Sequence, residues 1–166
     1  MRVSVIGGGS IPPDTAAVAE ELGAELAERG HAVVCGGLGG VMEAVCRGAH
    51  EARDGDETRR RDETGDGAET IGILPTDRRA DANPYVTTPI ATGLGHARNA
   101  LVVMNGDAAI AVNGGPGTLS EIGLALAHGR AVAGLDTHDV AGVEAVASPA
   151  AAVDHVEAAV GTVSSP

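Results

Sequence analysis

The segment Ala108-Ala109-Ile110-Ala111-Val112-Asn113-Gly114-Gly115-Pro116-Gly117-Thr118-Leu119-Ser120-Glu121 decides the fold. The apolar run from Ala108 to Val112 predicts a buried strand, and the amphipathic run from Gly117 to Ala127 predicts a helix. A strand that opens through glycines into a helix builds an anion site. Without Cβ atoms the backbone approaches an oxyanion closely, and the first helical N–H groups face it with the positive end of the dipole. Glu121 follows Thr118 by three residues, so both share one helical face beside whatever the loop holds. The same Thr-x-x-Glu spacing is that of a capping box, in which hydroxyl and carboxylate satisfy the free donors of a helix start. The glycine cluster also fits a plain strand-to-helix turn. Spacing leaves these readings open.

Outward from this segment the chain alternates short apolar runs with amphipathic ones. Strands are predicted at 2–6, 32–35, 70–74, 108–112, 131–135 and 143–146. Helices are predicted at 15–28, 41–52, 94–104, 117–127 and 149–160. Strands alternating with helices imply one α/β domain over residues 1–166, a mainly parallel sheet with helices on both faces. Two stretches break the rhythm. Residues 54–69 hold no apolar side chain except Ala68 and read as an exposed, mobile acidic loop, with Arg59-Arg60-Arg61 neutralised by the carboxylates around it. Residues 76–92, which follow Pro75 and contain Pro84 and Pro89, read as a long functional loop that carries Tyr85 and leads into Arg98.

Composition excludes several functions. Twenty-three acidic residues stand against 11 basic ones, a formal net charge of −12, so a nucleic-acid backbone is not an expected partner. All the basic residues are arginine. With so acidic a surface this points to high salt, although a GC-rich coding bias gives the same arginine preference. Cys35 and Cys46 sit in a strand and a helix pattern and read as small buried hydrophobes. The histidines are scattered, and no protein metal site is expected. No charged leader precedes an apolar segment, and no apolar run approaches the length of a membrane span. A cytoplasmic protein with no membrane partner is expected.

In a parallel sheet the loops that follow strands emerge at one edge, where such folds bind ligands. Gly7-Gly8-Gly9, Gly36-Gly37-Leu38-Gly39-Gly40 and Gly114-Gly115-Pro116-Gly117 all follow predicted strands. None fits Gly-x-Gly-x-x-Gly, and without lysine there is no P-loop. Three glycine loops on one edge predict a small phosphorylated, nucleotide-like ligand.

These residues also carry a family resemblance. Gly36-Gly37-x-x-Gly40-Val41-Met42 and Gly114-Gly115-Pro116-Gly117-Thr118-Leu119-Ser120-Glu121 resemble the two signature segments of the Lonely Guy and lysine-decarboxylase-like proteins. That Rossmann-like superfamily also includes molybdenum cofactor carrier proteins. His96-Ala97-Arg98-Asn99 resembles the family's His-x-Arg-Lys, with Asn99 replacing lysine, and Asn113 stands where the family has proline. The resemblance implies a three-layer Rossmann-like fold. It further implies ligand contacts from Gly8, Gly9, Gly36, Gly37, Gly40, Met42, Asn113, Gly114, Gly115, Gly117 and Thr118. In the phosphoribohydrolase members the residues matching Arg98 and Glu121 are catalytic, and a purine base leaves a nucleoside 5′-monophosphate. Such cleavage develops positive charge on the ribose, which a carboxylate stabilises while directing water. The resemblance therefore implies either that N-glycosidase or a non-catalytic carrier of molybdenum cofactor or another phosphorylated ligand. No cofactor is required for the first; a bound nucleoside monophosphate or molybdenum cofactor fits the second. The overall pattern, including Asn83-Pro84-Tyr85 and Gly93-Leu94-Gly95-x-Ala97-Arg98-Asn99, looks closer to the uncharacterised and cofactor-carrier branch. Relatives of this kind assemble as homodimers or larger homo-oligomers, and the apolar faces of 94–104 and 119–126 offer the surface for it.

Overall fold

The computed structural model describes residues 1–54 and 68–163. Its strands are β1 (Arg2–Gly7), β2 (Ala32–Cys35), β3 (Thr70–Leu74), β4 (Thr88–Ala91), β5 (Ala108–Val112), β6 (Val132–Leu135) and β7 (Val143–Ala145). The helices are α1 (Pro13–Glu28), α2 (Val41–Asp54), α3 (Asn99–Met104), α4 (Pro116–Ala127) and α5 (Pro149–Val163). One seven-stranded sheet runs β4-β3-β2-β1-β5-β6-β7, and every neighbouring pair is parallel. The fold is the expected α/β, Rossmann-like one.

Why the central strands are apolar throughout follows from their two covered faces. Val3 and Val5 of β1 join one core with Ile110 and Val112 of β5, under α1, α2 and α5. Ile6, Ala109 and Ala111 point the other way, into a second core with Val34, Val102 and Ile122, under α3 and α4. Ser4 is the polar exception among the buried residues of β1; its Oγ donates to the Val102 carbonyl at 2.8 Å and so is satisfied while fully buried. Helices α1 and α4 stop by the same device. Gly30 (φ +75°) and Gly129 (φ +67°) turn left-handed, and the residue after each bonds back to a carbonyl in the last turn.

Three expectations need correction. Residues 76–92 are not loop throughout: Thr88–Ala91 forms β4, an edge strand parallel to β3. Pro89 concealed it, yet an edge tolerates proline because one side of the strand needs no N–H donor. The helix expected over 94–104 begins only at Asn99, after a single 3-10 turn at Gly95–Arg98. Gly93 (φ +65°) and Gly95 (φ +56°) hold left-handed conformations there. Helix α2 runs on to Asp54, and on the far side Ala68 packs against the core. The rest of the expected acidic loop, residues 55–67 with Arg59-Arg60-Arg61, lies outside the described residues.

Candidate ligand-binding site

In the sheet, β1 lies between β2 and β5, so the loops that leave these three strands meet at one edge. They meet closely. The Val41 N–H donates to the Gly8 carbonyl at 3.0 Å, and a Cβ placed on Gly40 would lie 2.2 Å from that same oxygen. Gly40 also has φ +68°, so only glycine brings the first two loops together.

Between the loops lies a cavity of about 320 Å³. Gly7, Gly8 and Gly9 form one wall, Gly36 and Met42 a second, and Gly115, Pro116, Gly117 and Thr118 a third. His96, Arg98 and Asn99 come in from the 3-10 turn and the start of α3, and Glu121 from the first turns of α4. Of the residues expected to touch a ligand, Gly8, Gly9, Gly36, Met42, Gly115, Gly117 and Thr118 line this cavity together with Arg98 and Glu121.

Gly37, Gly40, Asn113 and Gly114 do not line it; they build the loops instead. Gly37 (φ +75°) packs on Gly72 and Leu74, and Gly114 (φ +114°) leaves room only for the Thr118 side chain. Asn113 adopts φ +50°, which a proline ring fixed near −65° cannot reach. The lining residues Val5, Ile6, Gly7, His96, Asn99 and Pro116 were not expected as ligand contacts. For His96 and Asn99 the His-x-Arg-Asn spacing carried the signal. For Val5 and Ile6, buried strand residues, there was none.

Thr118 and Glu121 do not form a capping box. Gly115 caps α4 in an extended conformation with Pro116 at the first helical position, and no side chain bonds to the free donors. Thr118 and Glu121 instead turn inward, 3% and 7% exposed. A Cβ on Gly115 or Gly117 would meet open space, so the mouth of the α4 N-terminus is clear.

Arg98 is 8% exposed, and its Nη1 lies 3.9 Å from a Glu121 carboxylate oxygen, beyond hydrogen-bond distance. Gly36 makes room for the guanidinium, since a Cβ there would fall 2.5 Å from Nη2. Burial pushes the Glu121 carboxyl from 4.5 up to about 7, with the Arg98 charge pulling only partly against it. Burial likewise lowers Arg98, opposed by Glu121 and Cys35. Among the described residues, Arg98 Nε and Asn99 Oδ1 are buried without a hydrogen-bond partner. An unmet donor and an unmet acceptor on the wall of one cavity are what a polar ligand would satisfy.

A folded-state pKa above the unfolded value stabilises only while the carboxyl is protonated. The contribution of Glu121 is whole below pH 4.5 and is lost as pH rises through about 7. Its size is on the order of 3 kcal/mol. Denaturant unfolding of Glu121→Gln across this range is expected to lack that part of the pH slope; a slope equal to the wild-type one would contradict the burial of an ionisable carboxyl.

Other candidates resolve simply. Cys35 and Cys46 are fully buried free thiols with their sulfurs 3.6 Å apart, packed as the expected small hydrophobes. The Cys35 sulfur and burial together push the Cys46 thiol up. Tyr85 stays off the cavity; its ring packs 5.9 Å from that of His50, with the Arg47 guanidinium 6.0 Å from its centroid. Among the described residues no helix is long and apolar enough to cross a membrane.

Solved structures of the same architecture include the molybdenum cofactor binding protein of the phototrophic bacterium Rippkaea orientalis. It is 30% identical, with a TM-score of 0.82 over 96% of each chain. The Moco carrier protein of Chlamydomonas reinhardtii is 30% identical, with a TM-score of 0.80 over 97% of this chain and 98% of that one. DNA processing protein A of Streptococcus pneumoniae shares the fold at 16% identity, with a TM-score of 0.66 over 93% of this chain and 61% of its own. An uncharacterized protein of Archaeoglobus fulgidus is 41% identical over 136 residues, 81% of this chain and 80% of its own. The SLOG cluster4 family model matches residues 1–162, and the chain belongs to that family.

Proposed function

We propose that this cavity holds molybdenum cofactor, or another ligand that joins a phosphate to a ring, and carries it without turning it over. The observation that carries this reading is the likeness, over nearly the whole chain, to proteins named for molybdenum cofactor binding and carriage. The residues present suit such a ligand. The uncapped donors at the start of α4, beside the open positions of Gly115 and Gly117, suit a phosphate. Arg98 brings a buried cation, and Asn99 an unmet acceptor for a ring N–H. Molybdenum cofactor is cargo here, so its metal chemistry belongs to the enzyme that receives it.

Gly115→Leu and Gly117→Leu test the placement of the phosphate. Neither site has a neighbour for the new Cβ to strike, so the fold is expected to survive. Affinity for a nucleoside 5′-monophosphate, used as a phosphate-bearing probe, is expected to fall at least tenfold because the side chain enters the mouth of the helix. Unchanged affinity in both variants removes the phosphate from this loop.

One observation favours a second reading, a phosphoribohydrolase acting on purine nucleoside 5′-monophosphates. Glu121 and Arg98 share the cavity, and a carboxyl that titrates near pH 7 is poised to act as a base or to stabilise a developing cation. Under this reading free base appears on incubation, and Glu121→Gln lowers its rate on the order of 10²–10³-fold. Under the carrier reading neither form releases base.

The protein is further proposed to be a cytoplasmic homodimer or larger homo-oligomer of a salt-adapted cell. Leu94, Met104 and Leu119, on and beside α3 and α4, are exposed at 53%, 49% and 43%. Light scattering in molar salt is expected to return at least twice the 16.4 kDa chain mass; the mass of one chain would contradict it.

A further inference from the structure

We propose that Thr137 and His138, on the loop after β6, are positioning residues that hold the glycine segment 113–117 in its phosphate-receiving shape. The proposal rests on the reading of that segment as the phosphate site. Neither residue lines the cavity. Strands β5 and β6 end side by side, with Val112 paired to Leu135. Beyond this pair both chains turn through a left-handed residue that is not glycine, Asn113 at φ +50° and Asp136 at φ +46°. These are the two such residues among those described, and they sit at matching positions.

Three hydrogen bonds tie the two turns together. The Asn113 N–H donates to the Leu135 carbonyl at 3.0 Å. Thr137 Oγ1 donates to the Asn113 carbonyl at 2.7 Å. His138 Nε2 lies 3.0 Å from the Gly115 carbonyl and must be the protonated nitrogen, since a carbonyl only accepts. The methyl of Thr137 is fixed in turn against Gly134, where a Cβ would fall 2.7 Å from it.

The consequence is electrostatic as well as entropic. Both latched carbonyls are occupied by donors, that of Asn113 by Thr137 and that of Gly115 by the Leu119 N–H at 3.0 Å as well as by His138, so neither is a free acceptor on the segment. A segment with glycine at three of its five positions would otherwise have to be ordered by the ligand itself, at a cost in affinity. The latch supplies that order beforehand, and it selects for ligands that carry a phosphate.

The test titrates wild type, Thr137→Val, His138→Ala and His138→Gln with guanosine 5′-monophosphate, guanosine and inorganic phosphate. Thr137→Val and His138→Ala are each expected to lose about tenfold in affinity for the monophosphate, the effect of one hydrogen bond. Their affinity for guanosine stays at the wild-type value, and their melting temperatures fall by no more than about 4 °C, the cost of one hydrogen bond. His138→Gln, which keeps a side-chain N–H donor, is expected to recover most of the loss. Equal losses for nucleotide and nucleoside, or wild-type affinity for the monophosphate in both variants, overturn the positioning role. Wild type that retains no phosphate-bearing probe overturns the reading of the site itself, a result distinct from the other two.

Discussion

Gly48→Ala is expected to unfold the protein at far lower denaturant than wild type, with a loss of about 4 kcal/mol or more. Helices α1 and α2 cross backbone to backbone. A Cβ on Gly48 would lie 1.9 Å from the Glu20 carbonyl oxygen, and one on Gly23 would lie 2.0 Å from that of Val45. No side chain is available to swing aside, so the helices must separate and loosen the packing of Leu22, Val45 and Ala49 between them. Gly23→Ala is expected to do the same. Gly123→Ala is the control: it lies within α4 with nothing near its Cβ position, and is expected to raise stability by about 0.5–1 kcal/mol through helix propensity. Urea titration of the three variants separates a clash from the general effect of removing a glycine. Equal behaviour of Gly48→Ala and Gly123→Ala would contradict the packing described.

Arg98→Gln is expected to have the largest effect on ligand binding. It removes the one buried cation on the cavity wall among the described residues and leaves Glu121 without the charge that offsets its burial. Truncating one member of a buried charged arrangement exposes the full desolvation of the other. Affinity for a phosphate-bearing probe is expected to fall on the order of 10²-fold. The Glu121 carboxyl is expected to titrate above about 7, as followed by the carboxyl carbon in NMR. The sign is fixed: with less positive charge nearby, the carboxyl holds its proton more tightly. A carboxyl that titrates at the wild-type value in the variant would mean that Arg98 does not act on Glu121, and one that titrates lower would contradict the sign of their interaction.

How much of this was legible in the chain depends on what each residue type reports. Apolar runs such as Arg2–Gly7 and Ala108–Val112 betray buried parallel strands because both faces are covered. β4 escaped notice because Pro89 in a four-residue edge strand looks like loop. Glycine marked the sheet edge well, but its type did not separate cavity-lining positions from loop-building ones. Gly40 and Gly115 look alike in sequence, yet the first admits a neighbouring backbone and the second faces open space. Thr118-x-x-Glu121 has one spacing for two roles, and only the inward turn of both side chains separates them. Arg98 drew attention through family resemblance alone, and His138 offered no pattern, since a single long-range bond to Gly115 leaves no period in the chain.

The central claim, that the cavity carries a phosphorylated ring ligand unchanged, is tested most directly by loading and transfer. Purified protein is incubated with molybdenum cofactor released from a denatured molybdoenzyme, freed of excess by gel filtration, and mixed with the cofactor-free enzyme. The account predicts that wild type retains the cofactor and restores activity, that Arg98→Gln and Gly115→Leu fail to retain it, and that nucleoside 5′-monophosphates incubated with wild type yield no free base. Failure of wild type to retain the cofactor, with free base released in a Glu121-dependent manner, would contradict it.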